Sequence, residues 1–484
     1  MFNSFTKGDF SVEDVYDIKL EEYERTKAEY DDFESWSSEY QGCTPEEYYK
    51  RIMGDIKPGE RLAAVRYTGN AEAVVIPDGI TDLIQNLFAN NKVIKKVTLP
   101  DSLERICDGA FRGCTSLEEV NFGKNLIGMG DYTFEGCSAL KRIRIPDSVR
   151  NIGTGSFFGC HALTDITLSN NLDDIAFNLF TNCTGLKKLV IPESVTLVAW
   201  EAFKSCKALK DITLSKNIGY IGRNAFEDCR ALRHIELPEV LNGIDQYAFR
   251  GSGLEEIVLP KNLTKIGTGV FSDCKRLKKV EIDPENPQYC AVDNCVINKK
   301  NNSVDFAVGN AEIPSGLGIK TIRNDAYSYN KELTEIDIPE GVRHINGSAF
   351  RSCVNLKRVT IPNTVISIHE CAFMGCKSLE EVVIPSSVKG VSRYAFGETG
   401  LKRVIMKHGA EYLESNVFFC CRHLEELYLP STFFLECDGS DPLFRCNKSL
   451  KIYVEKSDKL TYDNLPKHIK KYNVEFVDRP DIFN

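Results

Sequence analysis

Apolar residues in this chain fall into columns that return every 23 residues. Phe111, Phe134, Phe157, Phe180, Phe203 and Phe226 make one column. Three positions later come Cys114, Cys137, Cys160, Cys183, Cys206 and Cys229, and three further on Leu117, Leu140, Leu163, Leu186, Leu209 and Leu232. The full pattern is apolar-Pro-x-x-apolar-x-x-Ile-x-x-x-Ala-Phe-x-x-Cys-x-x-Leu-x-x-apolar-x-apolar, complete from Leu99 to Phe122. A fixed period of this length marks a solenoid, in which no coil can bury its apolar face alone and neighbours share one core. The Phe column continues through Phe249, Phe271, Phe350, Phe373, Phe396, Phe418 and Phe444, with Tyr327 substituting once and Phe88 marking a degenerate first copy. The pattern predicts about fifteen coils between Val75 and Val454. Near Gly251–Leu254 and Gly397–Leu401 the repeat is one residue short, and Ser252 and Thr399 stand near the Cys position. Asn330 also replaces a cysteine.

With segments such as IPDSVRNIGTGSFFGCHALTDITL, the chain resembles the BspA-type leucine-rich repeat family over roughly four-fifths of its length. The resemblance implies an α/β solenoid, a right-handed rod or horseshoe with one short parallel strand per coil on the concave side. Many members resemble surface adhesins, but one coil type serves many partners, so the label speaks to fold more than to function.

The pattern divides the chain into a helical N-terminal cap (1–60), a first repeat stretch (61–282), an insertion (283–312), a second stretch (313–454) and a C-terminal cap (455–484). Ser11 with Asp14 reads as a capping box, followed by a helical stripe of Val15, Ile18, Tyr23, Tyr30 and Phe33. Thr44-Pro45 reads as the start of a second helix, stopped near Gly54. Residues 1–50 hold fourteen Asp/Glu against five Lys/Arg and so carry the chain's whole net charge of −9. They fit either a cap over the first coil or an acidic partner-binding arm. In the insertion, Cys295-Val296-Ile297 and Val304-Asp305-Phe306 flank an Asn/Lys-rich turn, a β-hairpin pattern. It is expected to project from the stack, as a plain bulge or as a recognition finger.

No run of apolar residues is long enough for a membrane span, and neither end resembles a signal peptide or an anchor. As written, the chain is expected to be cytoplasmic; a trimmed sequence or unconventional export would place it at the cell surface. The eighteen cysteines occur mostly one per coil, without the clustered spacing of a metal site. Parallel stacking holds their β-carbons slightly too far apart for bridges. They read as small, reduced core residues, which fits a reducing compartment.

Two columns are expected to face outward between the core-facing strand residues. The first is a charge ladder: Glu119, Arg142, Asp165, Lys188, Asp211, His234, Glu256 and Lys279, then Glu335, Arg358, Glu381, Arg403 and Glu426. Opposite charges about 4.8 Å apart on neighbouring strands contribute roughly 0.2–1 kcal/mol each. Their alternation also breaks up any basic stripe, which argues against nucleic acid. The second column ends in three apolar residues, Val383, Ile405 and Tyr428. They read as a protein-contact strip, as ordinary strand formers, or as a surface covered by the C-terminal cap. The seven histidines fall in different columns or coils, and no catalytic or metal constellation emerges. The expectation is therefore a non-catalytic protein-interaction scaffold without cofactor, membrane insertion or nucleic acid. A surface adhesin is the alternative and an enzyme the remote one. The partner's identity and the oligomeric state are not encoded in these columns.

Overall fold

A computed structural model describes residues 5–7, 9–14, 62–409, 412–431, 441–457, 461–465 and 467–483. Backbone contacts divide the chain into two units, Met1–Ile218 and Gly219–Asn484. Each is a parallel β-solenoid, and the described residues make about 17 turns with almost no helix. The expected α/β character and the count of fifteen are thereby corrected. The count was low because coils at both ends keep the strands but lose the Phe-x-x-Cys signature. Ala73–Val75 pairs in parallel with Lys96–Thr98 at one end. At the other, Asn473–Val477 pairs in parallel with Lys451–Glu455.

Each regular coil uses two short strands. One, such as Arg142–Arg144, exposes its first and third residues and buries the middle one. The other, such as Asn151–Ile152, turns its apolar residue inward. Pairing of the second kind is parallel and in register, as in Arg105↔Gly128 and Ile106↔Met129. After the second strand, and before the first strand of the next coil, runs an outer turn that carries the Phe and Cys columns into the core. Phe111, Phe134, Phe157, Phe180 and Phe203 are fully buried. Their rings stack at 5.2, 5.6, 5.5 and 5.4 Å between centroids, within about 11° of parallel. In the second unit Phe350, Phe373 and Phe396 repeat this at 5.0 and 5.2 Å. A strict period sets equivalent rings face to face, which is how a fixed column becomes a continuous core.

In the regular coils from Phe88 to Phe418, the outer turn is closed by two left-handed residues, two before and two after the aromatic residue. They are Asn178 and Asn182 in one coil, Glu201 and Ser205 in the next, and Gly155 and Gly159 in a third. Glycine or asparagine adopts this conformation cheaply, whereas other residues cost roughly 1–2 kcal/mol. The column is also coupled between coils. The Tyr132 ring lies over Gly155, where an added Cβ would meet it at 2.7 Å.

The cysteines do more than fill space. The Cys137, Cys160, Cys183 and Cys206 thiols donate to the carbonyls of Phe111, Phe134, Phe157 and Phe180 one coil back, at 3.0–3.2 Å. The second unit repeats this from Cys353 to Tyr327 and from Cys376 to Phe350. No disulfide joins any of the sixteen described cysteines. The replacements at this column are small donors: Asn330 Nδ2 donates to the Gly309 carbonyl at 2.7 Å, and Thr399 Oγ1 to the Phe396 carbonyl at 2.8 Å. That chemical kinship among Cys, Ser, Thr and Asn was the sequence signal for a donor column, as distinct from a merely small one.

The N-terminal expectation fails where it can be seen. Phe10–Asp14, which contains the supposed capping box, is a strand. It pairs antiparallel with Phe5–Lys7 and with Leu62–Tyr67. Phe10 is buried, 5.1 Å from the Tyr67 ring and 6.1 Å from Phe88. Covering the open end of the Phe column outweighs a local capping preference. The stripe from Val15 to Phe33 and the helix at Thr44 lie outside the described residues.

The insertion forms the expected hairpin, with Cys295–Asn298 antiparallel to Ser303–Ala307. It does not project. Both strands are buried throughout, and Ser303–Val304 pairs in parallel with Thr321–Ile322. Cys295, Ile297 and Val304 are core residues, and Phe306 packs 4.9 Å from Phe271. The hairpin is a modified coil whose apolar residues continue the stack.

Candidate functional site: the exposed strand face

Backbone pairing sets the ladder in register: Arg142↔Asp165, Lys188↔Asp211, Glu335↔Arg358, Glu381↔Arg403 and Arg403↔Glu426. It extends further than the sequence reading took it, to Lys96 opposite Glu119 and Lys451 opposite Glu426. Near its ends it is neutralised internally. Lys96 pairs with Glu119 at 2.9 Å, and its hydrogen bond holds that carboxyl below its ordinary pKa. Arg358 reaches Glu335 at 3.0 Å and Asp337 at 2.5 Å. Arg403 lies 3.7 Å from Glu381 and 3.4 Å from Glu426, over the Tyr428 ring.

The middle of the first unit differs. Arg142, Asp165, Lys188 and Asp211 stand in one row, yet among the described residues none has an ion-pair partner within 4 Å. The sheet itself is interrupted there, since Asp165–Thr167 pairs only with Arg142–Arg144, and Lys188–Val190 only with Asp211–Thr213. A groove of about 420 Å³ lies across these three coils. Asp165, Lys188 and Asp211 line one side, Thr167, Val190 and Thr213 the other. Val190 is 66% exposed. The groove thus offers charges of both signs, hydroxyls and the exposed Val190, over the strand residues Ile166 and Leu189.

The apolar strip is not open as expected. Val383, Ile405 and Tyr428 do sit on paired strands. However, Ile405 and Tyr428 are only 8% and 9% exposed, packed with Ile482 and Phe483 in one apolar cluster. Lys407 Nζ donates to the Ile482 carbonyl at 2.7 Å, and the His408 amide to the Phe483 carbonyl at 3.1 Å. The chain's own last turn, Pro480–Phe483, covers the strip and leaves only Val383 accessible. Burying Phe483 there satisfies the apolar columns internally.

The structure joins two histidines that the sequence kept in separate coils. His344 Nδ1 is 2.8 Å from Ser367 Oγ, which is 3.1 Å from His369 Nε2. Burial, with His369 and Arg343 nearby, pushes the His344 pKa down. Among the described residues neither imidazole is bonded to a carboxylate, so this is not the Ser-His-Asp arrangement. Nor does any group of three His, Cys, Asp or Glu suited to a metal occur among them. No helix there is long and apolar enough to cross a membrane.

No curated protein matches the chain. Among solved structures it is similar to a leucine rich cell surface protein from Faecalibacterium prausnitzii A2-165, at 20% identity and TM-score 0.49, covering 98% of this chain and 94% of that one. A leucine-rich repeat protein from Bacteroides ovatus ATCC 8483 is similar at 17% identity and TM-score 0.45, covering 88% and 97%. The pneumococcal vaccine antigen PcpA is similar at 18% identity and TM-score 0.43, covering 87% and 96%. The family model for the BspA type leucine rich repeat region matches residues 81–210, 196–316 and 320–437. With this match over most of its length, and with the coil geometry above, the chain belongs to the BspA-type leucine-rich repeat family.

Proposed function

We propose that the chain is a non-catalytic protein-recognition module whose partner sits on the groove at Asp165, Lys188 and Asp211. One observation carries this reading. The ladder is neutralised by its own neighbours toward its ends, while the two registered pairs Arg142–Asp165 and Lys188–Asp211 stand without ion-pair partners among the described residues. Charges held in a fixed row and not compensated internally favour a partner of complementary pattern, and chiefly set specificity and association rate. The mixed signs suit a protein surface better than a polyanion. An adhesin would be the same recognition chemistry displayed at a cell surface, and labelling of intact cells with a non-permeant reagent separates the two settings.

The test compares wild type with a Lys188→Glu, Asp211→Lys double variant as bait for proteins from the native source. The reading requires one captured protein to be lost, with an unchanged melting curve and more than about tenfold weaker binding for the purified pair. Capture unaffected by the reversal would sink it.

A further inference from the structure

Regular outer turns are tied coil to coil by main-chain bonds. The Tyr247, Phe249 and Gly251 amides donate to the carbonyls of Thr268, Val270 and Ser272 at 3.1, 3.0 and 2.9 Å. Past the insertion, Tyr327 and Tyr329 do the same to Ala349 and Arg351, both at 2.7 Å. The turn just before the insertion breaks this rule. The amides of Gly269, Phe271 and Asp273 have no acceptor among the described residues. The hairpin coil follows them, and its outer turn is short, passing from Ala307 to Ile313 with no Phe-x-x-Cys segment.

Flanking turns close part of the gap directly. Ser272 Oγ and Ser328 Oγ meet at 2.7 Å, and Tyr247 reaches over to donate to Asp325 at 3.0 Å. Beyond the serine pair a cleft of about 200 Å³ remains. Phe271, Asp273 and Cys274 form one wall and Tyr329 and Asn330 the other, over a floor of Ala307 and Gly309. The charged residues around it, Asp273 and Glu332 against Lys275 and Lys331, cancel.

We propose that this cleft is a second recognition site, which takes a short peptide turn from a partner protein and thereby supplies the outer turn that the hairpin coil lacks. The orphan amides of Phe271 and Asp273 specify two main-chain carbonyls spaced two residues apart, the spacing that Val270 and Ser272 present to the preceding coil. Phe271 and Asp273 both line the cleft, and a main-chain donor without a protein acceptor gains from a carbonyl brought to it. The balanced charge around the cleft favours neutral peptide carbonyls over an anion.

Hydrogen exchange on the full chain, read by mass spectrometry, tests the proposal in two steps. In the free protein, amides 271 and 273 should exchange roughly 100-fold faster than 249 and 251; equal protection overturns the proposal. The probe is then a blocked heptapeptide with the sequence of residues 347–353, serine replacing the cysteine, at a few millimolar. It should slow exchange at 271 and 273 about tenfold. That slowing should vanish in Val308→Trp, which fills the floor, and in Lys331→Trp, which overhangs the mouth and leaves the core untouched. No slowing with the probe, slowing that persists in Lys331→Trp, or equal slowing by inorganic phosphate alone would each overturn it.

Discussion

Replacing Phe157 by alanine puts the stacking argument at risk. Phe157 is fully buried, and its ring is covered on both faces, by Phe134 at 5.6 Å and Phe180 at 5.5 Å. Truncation of a buried Phe costs about 3–5 kcal/mol in transfer and cavity terms. A stacked pair adds about 0.5–1.5 kcal/mol beyond area, and two such pairs are lost here. The expected cost is therefore toward the upper end, about 4–5 kcal/mol. Phe157→Leu refills most of the volume and should cost under about 1.5 kcal/mol. Trp200 lies in the first unit, and the second unit, Gly219–Asn484, has no tryptophan in its sequence. Guanidinium unfolding followed by tryptophan fluorescence therefore reports on that unit, and the midpoint shift measures the loss. Hydrogen exchange supplies the second readout. Because coils contact only their neighbours, protection should fall first in the coils of Phe134 and Phe180 and least in those furthest away. A loss below about 1 kcal/mol would mean that the rings are not the main core. A uniform fall in protection would refute nearest-neighbour coupling.

Other consequences are as direct. Burial pushes the Cys114 thiol up to about 11 and Cys160 up to about 12. At pH 8 the ladder cysteines should thus resist alkylation in the native state, and all eighteen should react in denaturant without reductant; several that stay unreactive there would reveal disulfides. Asp305 has a fully buried side chain 2.6 Å from Arg323, and burial raises its pKa despite that cation. Arg323→Ala should cost about 2–3 kcal/mol at pH 7, discounted because the arginine is one-third exposed. A raised folded pKa means that the folded state takes up the proton more readily, so the deficit should shrink as pH falls toward that value; a deficit independent of pH would contradict this. Gly155→Asn should cost about 1–3 kcal/mol through collision with Tyr132. Gly136→Asn, with its nearest neighbour atom at 3.7 Å, keeps only the strain of its positive φ and should cost under about 1 kcal/mol in the same melting assay.

The 23-residue columns made the coil, the Phe stack and the strand register legible, because a strict period leaves equivalent residues nowhere to go but beside each other. Features without a period were hidden. Nothing local at Phe483 says that it folds back onto Ile405 and Tyr428. The Ser11–Asp14 pattern is locally a sound helix start, and only the exposed end of the Phe column makes Phe10 a strand residue. The ladder could be listed from sequence, but whether Lys188 closes on the Asp211 opposite it depends on side-chain geometry that the columns do not encode. The cleft at Phe271 arises from a missing turn, so no residue in the sequence spells it out.

The left-handed column has a bearing on how such an array drifts. A tyrosine at position 132 leans onto the coil after it and forbids a side chain at position 155, while asparagine fits wherever the preceding coil leaves room. Substitutions at these sites are thus conditional on a residue 23 positions away. Divergence should proceed by paired exchanges, large for small in one coil and small for large in the next. Duplicating the coil of Tyr132 alone would place two tyrosines in succession, whereas copying it together with the coil of Gly155 would carry the matched pair intact. Copying the two coils as a matched pair is the mutational path that this contact leaves open, whereas Tyr394, whose hydroxyl accepts from Asn416 Nδ2 at 3.4 Å, already accommodates a side chain in the next coil.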